Sequence, residues 1–275
     1  MFPMDSVRHL IGGAWLLALS SGVMAGEWQS LFNGRDLQGW EAYISYQPET
    51  NAHDLKSKHK PRGVGQDPKQ VFSVVDGLLR VSGEEWGGLT TDAEFENFHL
   101  SMDMKWGEKK WPPRLDAKRD SGILYFAAGP HGAQSDHWMR SHEFQIQEGD
   151  CGDYHSLDGV SVDASVGPAN EGNWHFYRYD PSLPLTRDIA ARILKRGDYE
   201  KPSGEWNTLE VIADGHTLIH KVNGHEVLRA HNSWQLSGGR KLPLVRGKIQ
   251  IQSEGAEVFY RHIRIRSLDK PAAEY

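Results

Sequence analysis

A period of two runs through this chain and narrows what it can fold into. Phe98, Leu100, Met102, Met104 and Trp106 alternate with His99, Ser101, Asp103 and Lys105. Alternate residues of a β-strand share a face, so this segment has one apolar side and one polar side. Hairpin signals recur. Val71 to Val75 and Leu78 to Val81 flank Asp76-Gly77, and Thr208 to Ala213 and Thr217 to Val222 flank Asp214-Gly215. Asn223-Gly224 then turns the chain into His225 to Leu228. Such two-residue Asx-Gly turns match the twist of antiparallel strands. Ile123 to Ala127, Lys248 to Gln252 and Val258 to Arg266 read as further strands, and only Thr186 to Lys195 reads as helical. The expectation is an all-β chain of two packed antiparallel sheets.

Two stretches exceed a minimal sandwich. Ser45 to Gln70 is polar and carries three prolines, and Asp150 to Pro202 mixes Asp and His with aromatics. Loops this long are usually functional or disordered, and the second is too aromatic for disorder. It is expected to pack across a sheet face and wall a cleft. At the start, Arg8 and His9 precede an apolar run from Leu10 to Met24, and Val23-Met-Ala25 fits a small-residue cleavage rule. Residues 1–25 are therefore read as a secretory signal and 26–275 as a single domain. Cys151 is the only cysteine, which excludes an intramolecular disulfide. An export signal without disulfides fits a periplasmic or secreted bacterial protein, with no membrane span after cleavage. The formal charge of −6 argues against nucleic acid as partner.

Chemistry concentrates in Glu143-Phe-Gln-Ile-Gln-Glu148. On a strand, Glu143, Gln145 and Gln147 share one face and Phe144 and Ile146 the other. A carboxylate beside two amides suits acid/base work on a polyhydroxylated ligand. A polar outer face on a half-exposed strand is the plain alternative. His142 and Glu148 have the opposite parity to Glu143 and reach the same site only through a bulge or the strand's end. Arg261 lies in the row Phe259, Arg261, Ile263, Ile265, which points to a buried ion pair or a cation facing a site. Lys105 shares a face with Asp103.

Several segments together resemble a known family. They are Ser30-Leu-Phe-Asn-Gly-Arg-Asp-Leu-Gln-Gly-Trp40, Asp76-Gly-Leu-Leu-Arg80, Asp120-Ser-Gly-Ile123, Glu143-Phe-Gln-Ile146, Gly204-Glu-Trp-Asn207, Val222-Asn-Gly224, and Gly247 to Gln252 followed by Phe259-Tyr-Arg-His-Ile263. Their order and spacing, over roughly Trp28 to Ser267, resemble the 3-keto-disaccharide hydrolase domain family. The resemblance implies a concanavalin A-like jelly-roll sandwich of the lectin and glucanase type, with long loops. It also implies an enzyme acting on an oligosaccharide or glycoside whose carbon 3 is a ketone, with a sugar 3-dehydrogenase supplying that substrate. The ketone acidifies the carbon-2 proton, the glycosidic oxygen leaves by β-elimination, and water adds to the enone. Such a reaction needs a base near carbon 2, a cation, metal or donor at the enolate oxygen, and an acid at the leaving oxygen.

On that reading Glu143 is the expected base and Lys105 the cation, with Asp120 and His142 as further catalytic candidates. Gln145, Arg261, Glu148, Tyr154 and His155 are expected to bind substrate. The family's Asn-Ser-Gly is Asp120-Ser121-Gly122 here, which adds a carboxylate. No histidine spacing indicates zinc, and no cofactor is assigned with certainty. The aspartates Asp150, Asp153, Asp158 and Asp163 could hold calcium or another divalent metal, or bond their own turns. Two other classes stay open. Glu143-x-Gln-x-x-Glu148 echoes the Glu-x-Asp-x-x-Glu of laminarinase-type retaining glycosidases, with Gln145 breaking the pattern. A non-catalytic carbohydrate-binding module would present a similar polar face.

Overall fold

The computed structural model describes residues 26–48, 59–171 and 174–268; the expected signal segment and part of the Ser45 to Gln70 loop lie outside them. All regular structure among these residues is β. One sheet runs, in hydrogen-bonded order, through Gly63–Val64, Trp40–Ile44, Gly87–Thr91, Lys248–Ser253, Asp120–Ala128, Arg140–Gln147, Tyr154–Leu157, Ile193–Leu194 and Trp174–Tyr179. The other runs through Phe72–Val75, Leu78–Val81, Ala256–Ser267, Phe98–Lys110, Asn207–Asp214, Thr217–Val222 and His225–Ser237. The long strand Val160–Glu171 joins them, pairing with His225–Ser237 through its first half and with Trp174–Tyr179 through its second. Pairing is antiparallel throughout, except between Trp174–Tyr179 and Ile193–Leu194. This is the jelly-roll sandwich.

Strand parity places the core. Leu100, Met102, Met104 and Trp106 from one sheet meet Ile123, Tyr125, Phe144 and Ile146 from the other, all within one buried apolar cluster. The turns follow their chemistry. Asp76 and Gly77 both take positive φ (51° and 77°), as do Asn223 and Gly224 (50° and 84°), which is the conformation a two-residue hairpin turn demands.

The stretch from Asp150 to Pro202 departs from the expectation. Thr186 to Lys195 is not a helix; it contributes the strands Leu185–Ile189 and Ile193–Leu194. Ile189, Ile193 and Leu194 are spaced like a helical stripe, but Leu185–Ile189 pairs with Val160–Glu171, and that partner overrides a weak local pattern. Asp188 takes φ 58°, which no helix interior tolerates. The stretch extends the sheet beyond Glu143 and supplies one side of a cleft.

Candidate active site

Glu143 and Gln145 lie on the strand Arg140–Gln147, facing away from the core. The neighbouring strand presents Leu124 opposite Glu143, Gly122 opposite Gln145 and Asp120 opposite Gln147. On the other side, His155 is opposite Glu143. Paired residues of antiparallel strands share a face, so Asp120, Glu143, Gln145, Gln147 and His155 converge. Lys248–Ser253, beyond the Asp120 strand, brings Gln252 and then Glu254. Together with Arg114, Trp138, Ser156 and Arg192 these residues line a cleft of about 420 Å³. An apolar patch of Trp86, Leu124, Trp138 and Leu157 forms part of its wall.

Gly122 shapes the floor. A β-carbon there would lie 2.4 Å from Glu143 Oε1 and 2.4 Å from Gln252 Oε1. No real side chain fits at that distance, so glycine is what lets the two side chains meet over the strand. The floor is also dry: Glu143 is 4% exposed and Gln252 1%.

Electrostatics follow from three carboxyls around one guanidinium. Arg114 donates from Nη1 to Asp120 Oδ2 at 2.8 Å and from Nη2 to Glu254. Its guanidinium lies 5.4 Å from the Trp86 ring centre. Gln147 also donates to Asp120. Burial alone would lower the Arg114 pKa; Glu254 and Asp120 offset it and hold the pKa above its ordinary value. Burial pushes the Glu143 carboxyl well above the ordinary value of 4.5, and the charges of Glu254 and Asp120 push it further, against Gln252 and Arg192. Glu254 is raised too, by burial, with Arg114 opposing. Three buried carboxyls crowd the Arg114 guanidinium, and this crowding together with burial favours the protonated form of Glu143. Arg192 is held by Asp153, donating from Nε at 2.9 Å and from Nη2 at 2.6 Å.

Of the residues singled out from the sequence, the fold gathers Glu143, Gln145, Asp120 and His155. It places the other five elsewhere. Lys105 belongs to the opposite sheet and faces outward, 5.0 Å from the Trp206 ring centre and 6.0 Å from that of Phe259. Arg261 lies on the same outer surface, donating to Asp103 at 3.2 Å and stacked 4.0 Å from Trp206. Parity alone could not tell which of two sheets a polar face belongs to. His142 and Tyr154 point into the core, where the His142 ring bonds the Tyr154 hydroxyl at 2.8 Å and Ser233. No bulge intervenes at His142, since the pairing runs in register from Asp120 to Tyr125. Glu148 sits past the strand's end, accepting from Arg119 Nη1 at 2.6 Å and from the Arg119 backbone N–H at 2.9 Å.

The four aspartates considered for calcium are engaged by other groups, Arg192 bridging Asp150 and Asp153. Lys118 binds Asp150, Arg192 binds Asp153 and Arg140 binds Asp158, while Asp163 accepts from the Asp188 N–H and from Asn232. Among the described residues no group of three or more His, Cys, Asp or Glu is arranged to hold a metal ion.

Arg114, Arg192, Gln252 and Glu254 were missed. Gln252 and Glu254 carried a readable signal: Gln250-Ile-Gln-Ser-Glu254 repeats the alternation of Glu143-Phe-Gln-Ile-Gln147. Arg114, on a loop after Trp111, carried none.

The model of the 3-keto-alpha-glucoside-1,2-lyase-like domain matches residues 27–266. A 3-keto-disaccharide hydrolase of Bacteroides thetaiotaomicron is 22% identical over 87% of this chain and 78% of its own length. A crystal structure from Parabacteroides distasonis, of a protein described as a candidate glycosyl hydrolase, superposes with a TM-score of 0.50. It is 19% identical, over 88% of this chain and 94% of its own, a likeness of fold. With nearly its whole described length matched, the chain belongs to the family of 3-keto-alpha-glucoside-1,2-lyase-like domains.

Proposed function

We propose that the protein is a carbohydrate-active enzyme that cleaves 3-keto-glycosides by β-elimination and hydration in the cleft around Glu143. The observation that carries this reading is a buried Glu143, its pKa raised by burial and by Glu254 and Asp120, in a cleft that also holds Arg114, Gln145 and His155. Enolate formation needs a donor at the carbon-3 oxygen that is arranged before the charge develops. A neutral carboxyl in a dry site does this well, and the environment that keeps it neutral is unfavourable to a base. Glu143 is therefore assigned the role of acid at the ketone oxygen, in place of the base expected from sequence. Arg114 stabilises the negative charge that develops nearby, a role first expected of Lys105.

His155, on the adjacent strand opposite Glu143, is placed to take the proton from carbon 2. The electron pair of that C–H bond forms the C1=C2 bond as the C1–O bond breaks. The departing oxygen then takes a proton. Water adds to carbon 1 of the enone, carbon 2 regains a proton, and the sum is hydrolysis. A sugar 3-dehydrogenase supplying the ketone, and export to the periplasm or beyond, complete the proposal.

A retaining glycosidase of the Glu-x-Asp-x-x-Glu type would use the second glutamate of that motif, and Glu148 is engaged with Arg119 at the strand's end. A binding module has no use for an acid held far from its ordinary pKa, whereas catalytic sites commonly do. The test is incubation with a 3-keto-glucoside and its unoxidised parent, followed by mass spectrometry. Cleavage of the first alone is expected; cleavage of the parent at a similar rate would overturn the assignment.

A further inference from the structure

Gln252 stands beside Glu143 in an arrangement that the cleavage chemistry leaves unused. Its Oε1 is buried and accepts no hydrogen bond, although buried carbonyls almost always find a donor. Glu143 Oε1 approaches the same point over the bare Cα of Gly122, each oxygen 2.4 Å from where a β-carbon would sit. The Gln252 side chain lies within hydrogen-bonding reach of the carboxyl. Two oxygens set side by side in a dry floor repel unless a proton lies between them. An amide carbonyl has no proton to give, and a neutral Glu143 has one.

We propose that Gln252 is a positioning residue for Glu143: its carbonyl accepts the Glu143 O–H in the empty cleft, and its amide turns over to donate from Nε2 when Glu143 ionises. Gly122 is the third part of the device, because any side chain there would separate the pair. The other charged and titratable groups facing Glu143 are Asp120, Arg114, Glu254, Arg192 and His155. Asp120, Glu254, Arg114 and Arg192 are charged groups committed to one another or to Asp153, and His155 is assigned the carbon-2 proton; the Gln252 amide can accept from the acid and donate to its anion through one side-chain rotation.

The inference deepens the reading of Glu143 as an acid and rests on it. The O–H is held along one direction until a ketone oxygen enters, and the proton then exchanges the Gln252 carbonyl for the ketone as acceptor.

The test is nuclear magnetic resonance of the full protein. Carbon-13 at the glutamate carboxyls reports Glu143, identified by its loss in Glu143→Gln. Nitrogen-15 reports the side-chain amides, with Gln252 identified by its loss in Gln252→Met. The expected result is that the Gln252 amide shifts with the same midpoint as the Glu143 carboxyl, and that one of its protons exchanges slowly with water only above that midpoint. An amide that stays unchanged through the Glu143 titration would overturn the proposal. So would a shift without any change in proton exchange, which reports nearness alone.

A kinetic arm separates the two readings. If Gln252 orients the acid, Gln252→Met should lower kcat about tenfold, the worth of one oriented hydrogen bond, with KM little changed. It should also move the pH profile of kcat. A loss confined to KM, with the pH profile fixed, would contradict the orienting role. If the resonance result holds while no 3-keto-glycoside is cleaved, the cleavage reading fails and the pairing of Gln252 with Glu143 stands.

Discussion

Replacing Glu143 by glutamine should stabilise the protein, and by an amount that grows with pH. Glutamine has the shape of the neutral acid and cannot ionise. The folded-state pKa of Glu143 is raised well above 4.5, by burial first and then by Glu254 and Asp120. A raised pKa means that the folded state keeps a proton which the unfolded state gives up. The stability linked to that proton is fully present below about pH 4.5 and is lost as pH rises toward the folded pKa. Each pH unit between those limits costs the wild type about 1.4 kcal/mol relative to the variant. For a chain of this size that slope corresponds to about 4 °C in melting temperature per pH unit. Urea unfolding of both proteins at several pH values gives the difference directly. The coupled proton of Glu254 damps the slope without reversing it. A difference that stays flat from pH 5 to pH 8 would show Glu143 ionised at neutrality, and the acid role would fall.

Four further outcomes are expected. Arg114→Met leaves Asp120 and Glu254 buried without their cation, and urea unfolding should show a loss of about 3–5 kcal/mol; adding Asp120→Asn and Glu254→Gln should restore part of it. Gly122→Ala forces Glu143 and Gln252 apart, since the new carbon would lie 2.4 Å from each; kcat should fall about 10²-fold or more, the usual cost of losing one aligned donor, while circular dichroism keeps its β signature. His142 and His220 are buried neutral, burial lowering their pKa values to about 3 and about 4. Each therefore costs stability as pH falls from about 6.5, because only the unfolded state binds the proton, and His142→Asn should flatten the acid limb by about 1.4 kcal/mol per pH unit between pH 6 and 4. Lys105→Met, on the outer surface of the other sheet, should leave kcat/KM within about twofold, since surface changes away from a site seldom exceed ~0.5 kcal/mol.

How far the sequence could be read depended on what each signal encodes. Strand parity is local, and it put Met102, Met104, Phe144 and Ile146 inward and Glu143 and Gln145 outward. Which sheet a strand joins is set by distant pairings. That is why Lys105 and Arg261, polar and well spaced, were grouped with Glu143 although they lie on the opposite surface. Tyr154 and His155 were named together as substrate-binding candidates, and the strand Tyr154–Leu157 separates them: Tyr154 enters the core and His155 faces the cleft. Thr186 to Lys195 was misread because an apolar spacing shared by helix and paired strands cannot separate them without the partner strand. Arg114 had no local signature at all. Its position follows from a loop held by Asp120 and Glu254, residues 6 and 140 positions away in the chain. The resemblance to a family carried the jelly-roll and the proposed reaction; the burial of Glu143 among Asp120 and Glu254 is what favours the proposed acid role over the base expected from sequence.

The most direct measurement of the central claim is the fate of the carbon-2 proton. A 3-keto-glucoside is cleaved by the wild-type protein in deuterated water, and freshly formed product is analysed by mass spectrometry before the free keto sugar can exchange. Elimination followed by hydration predicts one deuterium at carbon 2, no cleavage of the unoxidised glucoside, and an activity that declines as pH rises through the Glu143 pKa. Product that retains its original carbon-2 proton would contradict elimination and point to displacement at the anomeric carbon.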